Sequence, residues 1–210
     1  MNAIITEKTI AAVTPADAAE KGLSGLLAAG CAPAVFASVT PNTAVLPLLH
    51  TLPAIAPLRL AALLAKSDDR TVDALLSYLR TSKEFAAGVR AYLAIVKEEI
   101  PQTPYEARRF VCRHFPHAEH GLLLKGALNG VDTADAALLC RRVLRDGTAV
   151  EIRRLAVNGK ELQLLAGVRP EKTAALLAAL QDLVWHTPTD NKRDILLAHA
   201  KQITKKENWL

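Results

Sequence analysis

The sequence predicts an all-α protein, a multi-helix body with short proline-broken helices followed by a helical C-terminal tail. Half of its 210 residues are hydrophobic and only 4% are aromatic, a composition that favours packed helices over sheet. Helix start and stop signals also follow one another along nearly the whole chain. Only residues 148–157 could form a strand. An extended connector is favoured there, because sustained period-two alternation is missing from the chain.

Prolines divide the N-terminal third of the chain. Thr14-Pro15 followed by Asp17 predicts a helix start, and Gly30 closes that helix. Residues 31–66 then break into short helices, since proline cannot continue a helix interior. The prolines responsible are Pro33, Pro41, Pro47, Pro53 and Pro57.

Two longer helices are predicted next. The first covers residues 67–80 and is rich in leucine at helical spacing. Thr81 with Glu84 has the capping-box pattern, in which each residue hydrogen-bonds the other's backbone N–H. This pattern predicts a second helix that runs to Ile100 and stops at a proline.

Three further helices complete the predicted body. Residues 103–106 repeat the start signal of a cap, a proline and an acid, and predict a helix to about His114. Residues 117–129 form the next helix, which a glycine ends. Asp132 then caps a helix that ends near Gly147.

The tail carries the most specific order of signals. Asn158-Gly159 opens a brief helix, and Gly167 ends it. Pro170 starts a long amphipathic helix that stops before Pro188. The last helix begins around residues 190–191, with Asn191 as its expected cap. We therefore expect two regions, a helical body at 1–147 and a helical tail at 148–210.

Cysteine usage and hydropathy predict a cytoplasmic protein. Cys31, Cys112 and Cys140 are odd in number and widely spaced, which indicates buried thiols of a cytosolic protein rather than a disulfide framework. The chain has no apolar run long enough to span a membrane and no signal-peptide pattern at its start. We expect no membrane partner.

Positive charge is concentrated at the C-terminal end. Residues 1–140 contain 13 Lys and Arg against 13 Asp and Glu, whereas residues 141–210 contain 13 against 8, so the whole net charge of +5 lies in the last third. A basic surface confined to one end is typical of proteins that bind a phosphate backbone. A solvated helical surface with a chance excess of cations is the alternative.

The candidate RNA-binding residues are the basic side chains around the tail. Arg141 and Arg145 lie four residues apart and share a helix face. Arg153 and Arg154 are expected on an extended segment, where at most one of them faces a ligand. The full set is Arg141, Arg142, Arg145, Arg153, Arg154, Lys160, Arg169, Lys172, Lys192 and Arg193.

The helix start at Pro170 has two interpretations. Its unpaired first-turn N–H groups suit an anion, and Lys172 and Thr173 would add a charge and a hydroxyl. Glu171 would repel a phosphate while favouring the helix dipole. A purely structural cap is favoured over a binding site.

A cluster of possible metal ligands lies in the segment CRHFPHAEH. Cys112, His114, His117 and His120 are ligand types that zinc prefers, but Pro116 interrupts the helix between them. Their spacing matches no closed four-ligand pattern. We therefore interpret these residues as surface histidines beside a turn and predict no metal.

The tail segments NGKELQLLAGVRP (158–170) and NKRDILLAHA (191–200) resemble one family closely. They are similar to the C-terminal body and tail of the bacterial tRNA nucleotidyltransferases, the CCA-adding enzymes related to bacterial poly(A) polymerases. Residues 16–39, 57–90 and 104–128 resemble body segments of that family more loosely. One departure is residues 171–174, where the family has glycines.

The resemblance implies a module that holds tRNA rather than one that performs chemistry. In this family the body and tail hold the acceptor stem and elbow of tRNA, while a head domain binds two metal ions through an Asp-x-Asp pair and transfers nucleotides. This sequence contains no Asp-x-Asp pair and no Gly-Ser dipeptide, and it lacks the neck motif that selects the base. We expect the chain to be inactive alone, with Mg²⁺ expected only with a catalytic head and no cofactor in this chain.

Two functions remain as hypotheses. The first is a tRNA-binding body and tail module for 3′-end maturation that works with a head, either on a separate nucleotidyltransferase chain or on the same polypeptide. The second is a protein-interaction scaffold that docks a catalytic chain or forms a homodimer. In the second case the short helices of residues 31–66 would present an apolar face.

Overall fold

The computed structural model describes residues 19–37 and 39–209, and within them the chain is helical and contains no strand. The predicted all-α class is confirmed. The predicted cap at Thr14-Pro15 lies outside the described residues. The α-helices are α1 (Ala19–Ala28), α2 (Ala32–Phe36), α3 (Ala56–Leu64), α4 (Asp69–Tyr78), α5 (Lys83–Lys97), α6 (Pro104–His114), α7 (Ala118–Asn129), α8 (Ala134–Asp146), α9 (Gly159–Ala166), α10 (Thr173–His186) and α11 (Arg193–Lys206).

Short 3₁₀ helices connect several of these elements. One long 3₁₀ segment, Thr43–Thr51, contains Pro47. It lies in the part of the chain that prolines were predicted to divide into short helices. The other three lie in the tail: Ile152–Arg154, Pro170–Lys172 and Pro188–Asp190. Residues 148–157 therefore form no strand, and the connector contains a 3₁₀ turn instead of being extended as predicted.

The chain divides into two compact units. The first unit takes in the residues up to Ile100 together with 116–138, and the second takes in residues 101–115 and 139–210. The whole of the predicted tail, residues 148–210, lies in the second unit. Each unit has its own cluster of buried apolar side chains.

In the first unit, α3 and α5 pack together around aliphatic side chains. Pro57 stands at the start of α3, where its fixed φ suits a helix and its missing N–H costs nothing. Leu58 and Leu64 on α3 are fully buried, as is Val89 on α5. At Gly88 an added Cβ would lie 3.2 Å from Cβ of Pro57, so the glycine permits this close approach.

A buried arginine organises the loop before α3. Arg59 is only 1% exposed, and its guanidinium donates hydrogen bonds to the carbonyls of Pro53 (3.2 Å) and Leu52 (3.1 Å). Burial lowers the pKa of Arg59. These bonds satisfy backbone oxygens in a segment that has no regular helical partners. Nothing in the local sequence pattern distinguishes this arginine from a surface residue.

The N-terminal cap of α5 differs from the sequence prediction. Ser82, rather than Thr81, caps the helix by accepting a hydrogen bond from the N–H of Phe85 (3.2 Å). The Thr81 hydroxyl instead donates to the carbonyl of Leu76 at 3.2 Å. The predicted capping box at Thr81 is therefore wrong, because the hydroxyl is taken by the end of the preceding helix.

The C-terminal end of α5 is held by a lysine from α7. The helix stops at Lys97, short of the predicted Ile100. The ammonium group of Lys125 donates to the carbonyl of Val96 at 2.8 Å and also to that of Glu98. A cation at this point satisfies carbonyls that have no intrahelical partner and opposes the negative end of the helix dipole.

Several helix ends in both units match their sequence signals. Thr103 and Glu106 form the predicted capping box at the start of α6. Asp132 accepts a hydrogen bond from the N–H of Ala134 at 2.9 Å, at the start of α8. Gly130 and Gly167 end α7 and α9 with φ of +65° and +71°, the left-handed region that favours glycine.

The cysteines are less uniformly buried than expected. Cys140 is buried and Cys112 partly so, but Cys31 is exposed. Burial, together with the charge of Glu151, raises the pKa of the Cys112 thiol. Within the described residues, none of the helices is long and apolar enough to cross a membrane.

The crossing of α5 and α7 provides a test of the packing in the first unit. A Cβ at Gly121 would come within 2.5 Å of Cδ1 and 2.7 Å of Cγ2 of Ile95, which is fully buried and stiff at its branch point. We expect Gly121→Ala to lower the free energy of unfolding by about 1–3 kcal/mol through overpacking. Urea denaturation measures the change.

Gly25 is the matched control, since nothing lies within 4 Å of a Cβ added there. Gly25→Ala is expected to leave stability equal or raise it by up to about 1 kcal/mol, because alanine favours the helix. Equal stabilities for the Gly121 variant and the wild type would show that the two helices do not approach as closely as described.

Candidate nucleic-acid interface

The two units carry opposite charge. The second unit contains 16 Lys and Arg and 9 Asp and Glu, a net charge of +7, whereas the first contains 10 and 12, a net charge of −2. Residues 101–115 contribute to this imbalance, because Arg108, Arg109 and Arg113 join the tail cations in the second unit. The basic excess is thus larger and more segregated than the linear sequence indicates.

The start of α9 is fixed by a reciprocal cap. Asn158 accepts a hydrogen bond from the N–H of Glu161, and the Glu161 carboxylate accepts one from the N–H of Asn158, both at 3.1 Å. Gly159 follows, and a Cβ there would lie 3.0 Å from Cγ2 of Thr173. The brief helix predicted after Asn158-Gly159 is confirmed, and the glycine lets its first turn approach α10.

Asn191 joins the start of the last helix to the connector before α9 instead of capping the last helix. Its side-chain oxygen accepts from the N–H of Ala156 at 2.8 Å, and its side-chain nitrogen donates to the carbonyl of Arg154 at 3.2 Å. The residue at the cap position of α11 is Lys192, which makes no side-chain cap bond. The predicted capping role of Asn191 is wrong, because its amide is used by a segment 35 residues earlier.

This contact places four of the predicted residues close together. Asn191 holds Arg154 beside the start of α11, and Arg193 Nε donates to Glu161 at 2.9 Å, next to Lys160. All four basic side chains are exposed. We call this group the tail cation cluster: Arg154, Lys160, Lys192 and Arg193.

Two carboxylates near the cluster lie against Arg193: that of Glu161 and, 3.9 Å from Nη1, that of the exposed Asp194. Glu161 is paired with Arg193, and that hydrogen bond, followed by the one from Asn158, holds the pKa of Glu161 below its usual range. In the part of the chain that the structure describes, Arg154, Lys160 and Lys192 form no ion pair with a carboxylate. Their charges are therefore available to an anionic ligand.

Arg153 and Arg154 occupy a 3₁₀ turn rather than an extended segment. Both side chains are exposed, and the extended segment expected for them is wrong. Arg153 is held by its neighbour Glu151, with Nε to Oε2 at 2.7 Å and Nη2 to Oε1 at 3.1 Å. Arg154 lines a cavity of about 100 Å³ together with Leu144 of α8.

The three arginines of α8 are exposed. Arg145 is hydrogen-bonded to Asp146 at 2.9 Å, which raises the pKa of Arg145 and neutralises part of its charge. Arg141 and Arg142 lie one turn earlier on the same helix. The shared face predicted for Arg141 and Arg145 is consistent with their helical spacing.

The turn at Pro170 has no side-chain cap. It is a 3₁₀ turn that leads into α10, with Arg169, Glu171 and Lys172 exposed. The Thr173 hydroxyl accepts from Gln163 (3.0 Å), donates to the carbonyl of Arg169 (3.2 Å) and is buried. This hydroxyl therefore already has two protein partners, and the interpretation of the turn as a structural cap stays a prediction.

Sequence patterns missed a group of side chains between α6 and α10. The Tyr105 ring stacks on His186 with 3.8 Å between centroids and 16° between planes, and the Tyr105 hydroxyl donates to Asp182. This hydrogen bond, with burial, raises the pKa of Tyr105. Arg109 lies 5.5 Å from the Tyr105 centroid. Asp182 lies 77 positions after Tyr105, and His186 lies further along the same helix. No local signal could therefore have joined Tyr105 to α10.

The histidines are not simply surface residues. His114 is only 8% exposed and contacts the Phe110 ring at 4.7 Å between centroids, so the interpretation of His114 as a surface histidine is wrong. His117 and His120 are partly buried, and His117 meets Tyr92 edge-on at 4.8 Å. Within the described residues, no group of three or more His, Cys, Asp or Glu side chains could hold a metal ion.

Removal of the Asn191 amide tests the contact that assembles the cluster. Asn191→Ala loses two hydrogen bonds, and we expect a loss of about 1–2 kcal/mol of unfolding free energy together with faster hydrogen exchange at the amide of Ala156. Asn191→Asp keeps the acceptor and should protect that amide more than alanine does. Faster exchange confined to the first turn of α11 would contradict the contact and restore the capping role.

The lowered pKa of Glu161, which caps the start of α9, predicts a pH dependence of the free energy of unfolding. A carboxylate whose folded-state pKa is lowered stabilises the fold above its unfolded pKa, about 4.3, and that stabilisation is lost as the pH falls through the folded pKa. Glu161→Gln should therefore be less stable than wild type at neutral pH, with the difference shrinking at acid pH. Urea denaturation across the pH range measures it.

Glu171→Gln removes one exposed charge from the same unit and is the matched control. A Glu161→Gln deficit that stays constant down to the most acid pH would contradict the ion pair and cap as the source of the stabilisation.

Comparison of the chain with protein-family models, with curated proteins and with solved structures found no match. The resemblance to the tRNA nucleotidyltransferases therefore stays a prediction from the sequence alone.

Proposed function

We propose that this chain is an RNA-holding module that binds tRNA through the second unit, as the body and tail of a CCA-adding tRNA nucleotidyltransferase would. The observation that carries the proposal is the segregation of charge, +7 in the second unit against −2 in the first. Neutralising RNA phosphates releases condensed counterions, and this release supplies sequence-independent affinity.

The local geometry supports contact with a phosphate backbone. Arg154, Lys160 and Lys192 are exposed cations without a carboxylate partner in the described residues, on three segments that Asn191 and Arg193 hold together. The first turn of α11 has no side-chain cap beside Lys192, but it contains the acidic Asp194, which offsets part of the positive field of its N–H groups. Helical surfaces of this kind recognise A-form RNA by shape and backbone rather than by sequence.

The partners of this proposal are tRNA and a nucleotidyltransferase head, carried on a separate chain or on the same polypeptide. Nucleotide transfer and its Mg²⁺ ions would belong to that head, and this chain would hold the RNA during 3′-end maturation. In the scaffold alternative, residues 31–66 would present an apolar face to a partner chain. In the structure Val45, Leu46 and Leu49 from that stretch lie in the core of the first unit, so they give little support to a docking face.

Charge reversal in the tail cation cluster tests RNA binding. We expect Lys160→Glu with Lys192→Glu to weaken tRNA binding by about tenfold or more and to reduce the slope of log Kd against log salt by about two. Fluorescence anisotropy with labelled tRNA across a salt series measures both quantities.

Lys66→Glu with Lys83→Glu, exposed residues of the first unit, changes the net charge by the same amount and is the matched control. This control should keep most of the affinity and the slope. Equal losses in both double variants would mean that net charge alone attracts the RNA. Absence of salt-dependent binding by the wild type would overturn the proposed function.

A further inference from the structure

We propose that the stacked pair of Tyr105 and His186 in the second unit is a platform for an unpaired nucleobase of the bound RNA. The inference deepens the proposed function and rests on it, because it assigns a second kind of contact to the same RNA. The tail cation cluster would hold phosphates, and the platform would hold a base that is not in a helix.

The geometry of the pair leaves a ring surface open. The Tyr105 and His186 rings are nearly parallel, with centroids 3.8 Å apart and 16° between their planes. The His186 side chain is 59% exposed although one of its faces is covered by Tyr105. In the described residues no second ring lies against His186. Its outer face is a flat surface on which a base can stack.

The platform is held rigid by polar contacts on both helices. The Tyr105 hydroxyl donates to Asp182, whose other oxygen lies 3.9 Å from Nε2 of His186. Arg108 of α6 donates to the carbonyl of Trp185 at 2.6 Å, which ties α6 to the last turn of α10. Because the rings are already ordered, a ligand pays little conformational entropy to use them.

The surroundings of the platform favour a nucleotide. Arg109 is exposed, lies 5.5 Å from the Tyr105 centroid and can reach a phosphate next to a stacked base. His186 precedes Lys192 by six residues, so the platform and the cation cluster are at most about 20 Å apart along the chain. The 3₁₀ turn Pro188–Asp190 shortens that distance. One RNA strand spanning a few nucleotides reaches both.

The competing interpretation is that the stack only holds α6 against α10. The two interpretations differ in a measurable way. If the stack is a platform, its loss lowers the affinity for RNA with unpaired bases more than the affinity for fully paired RNA. If the stack is only structural, its loss lowers the stability of the chain and the affinity for both RNAs equally.

The experiment compares two RNAs of identical paired sequence, a blunt duplex and the same duplex with a short single-stranded 3′ extension. The extension carries 2-aminopurine, whose fluorescence is quenched when it stacks. We expect wild-type chain to bind the extended RNA more tightly and to quench the probe. His186→Ala should remove most of the preference, a loss of about tenfold for the extended RNA alone.

Two further variants separate stacking from other roles of the imidazole. His186→Trp restores a flat ring and should recover both preference and quenching. His199→Ala replaces a partly buried histidine of the same unit and should behave as wild type. Thermal unfolding of each variant shows whether an effect on RNA follows from lost stability.

The outcomes distinguish the inference from the function on which it rests. Equal binding of both RNAs by the wild type, or equal losses for both RNAs in His186→Ala, would overturn the platform while leaving RNA binding intact. No binding of either RNA by the wild type would overturn the proposed function and the platform together. Preference lost in His186→Ala and regained in His186→Trp would support the platform.

Discussion

The arrangement of the second unit depends on two hydrogen bonds made by one side chain, the amide of Asn191. It accepts from Ala156 and donates to Arg154, and so joins the connector before α9 to the entry of α11. An amide is suited to this position because it presents a donor and an acceptor side by side. The link places the backbone of Arg154 beside the start of α11, next to Lys192. The two residues are therefore neighbours on one surface.

The charge of that surface follows from how the acids are used. Glu161 caps α9 and pairs with Arg193, Glu151 pairs with Arg153, and Asp182 accepts from Tyr105. Each of these carboxylates stabilises a local piece of structure and is directed at a protein partner. Within the described residues, Arg193 of the cluster is paired with Glu161 and lies 3.9 Å from Asp194, while Arg154, Lys160 and Lys192 form no ion pair. Stability and the proposed RNA affinity would in this way depend on different residues of one unit.

Local signals were predictable from the sequence, whereas choices between competing partners were not. The capping box at Thr103 and the glycines after α7 and α9 act within one helical turn, so the sequence pattern contains all that determines them. Thr81, Asn191 and His114 were assigned wrongly for a common reason. Each side chain has an alternative to its expected environment: the Leu76 carbonyl for Thr81, the Ala156 and Arg154 backbone for Asn191, and the Phe110 ring for His114. The first and third lie within five residues, and only the partners of Asn191 are distant in sequence. The candidate basic residues were predictable as a set, but not which four would assemble.

The two contacts proposed for RNA differ in physical origin, and that difference makes their contributions separable. Phosphate contacts by Lys160 and Lys192 gain free energy from released counterions, so their contribution falls as the salt concentration rises. Stacking on His186 depends on dispersion and apolar burial, which moderate salt affects little. Preference for unpaired RNA should therefore persist at salt concentrations where total affinity has fallen. A surface that combined the two would hold the RNA through its backbone and recognise its unpaired bases through the ring.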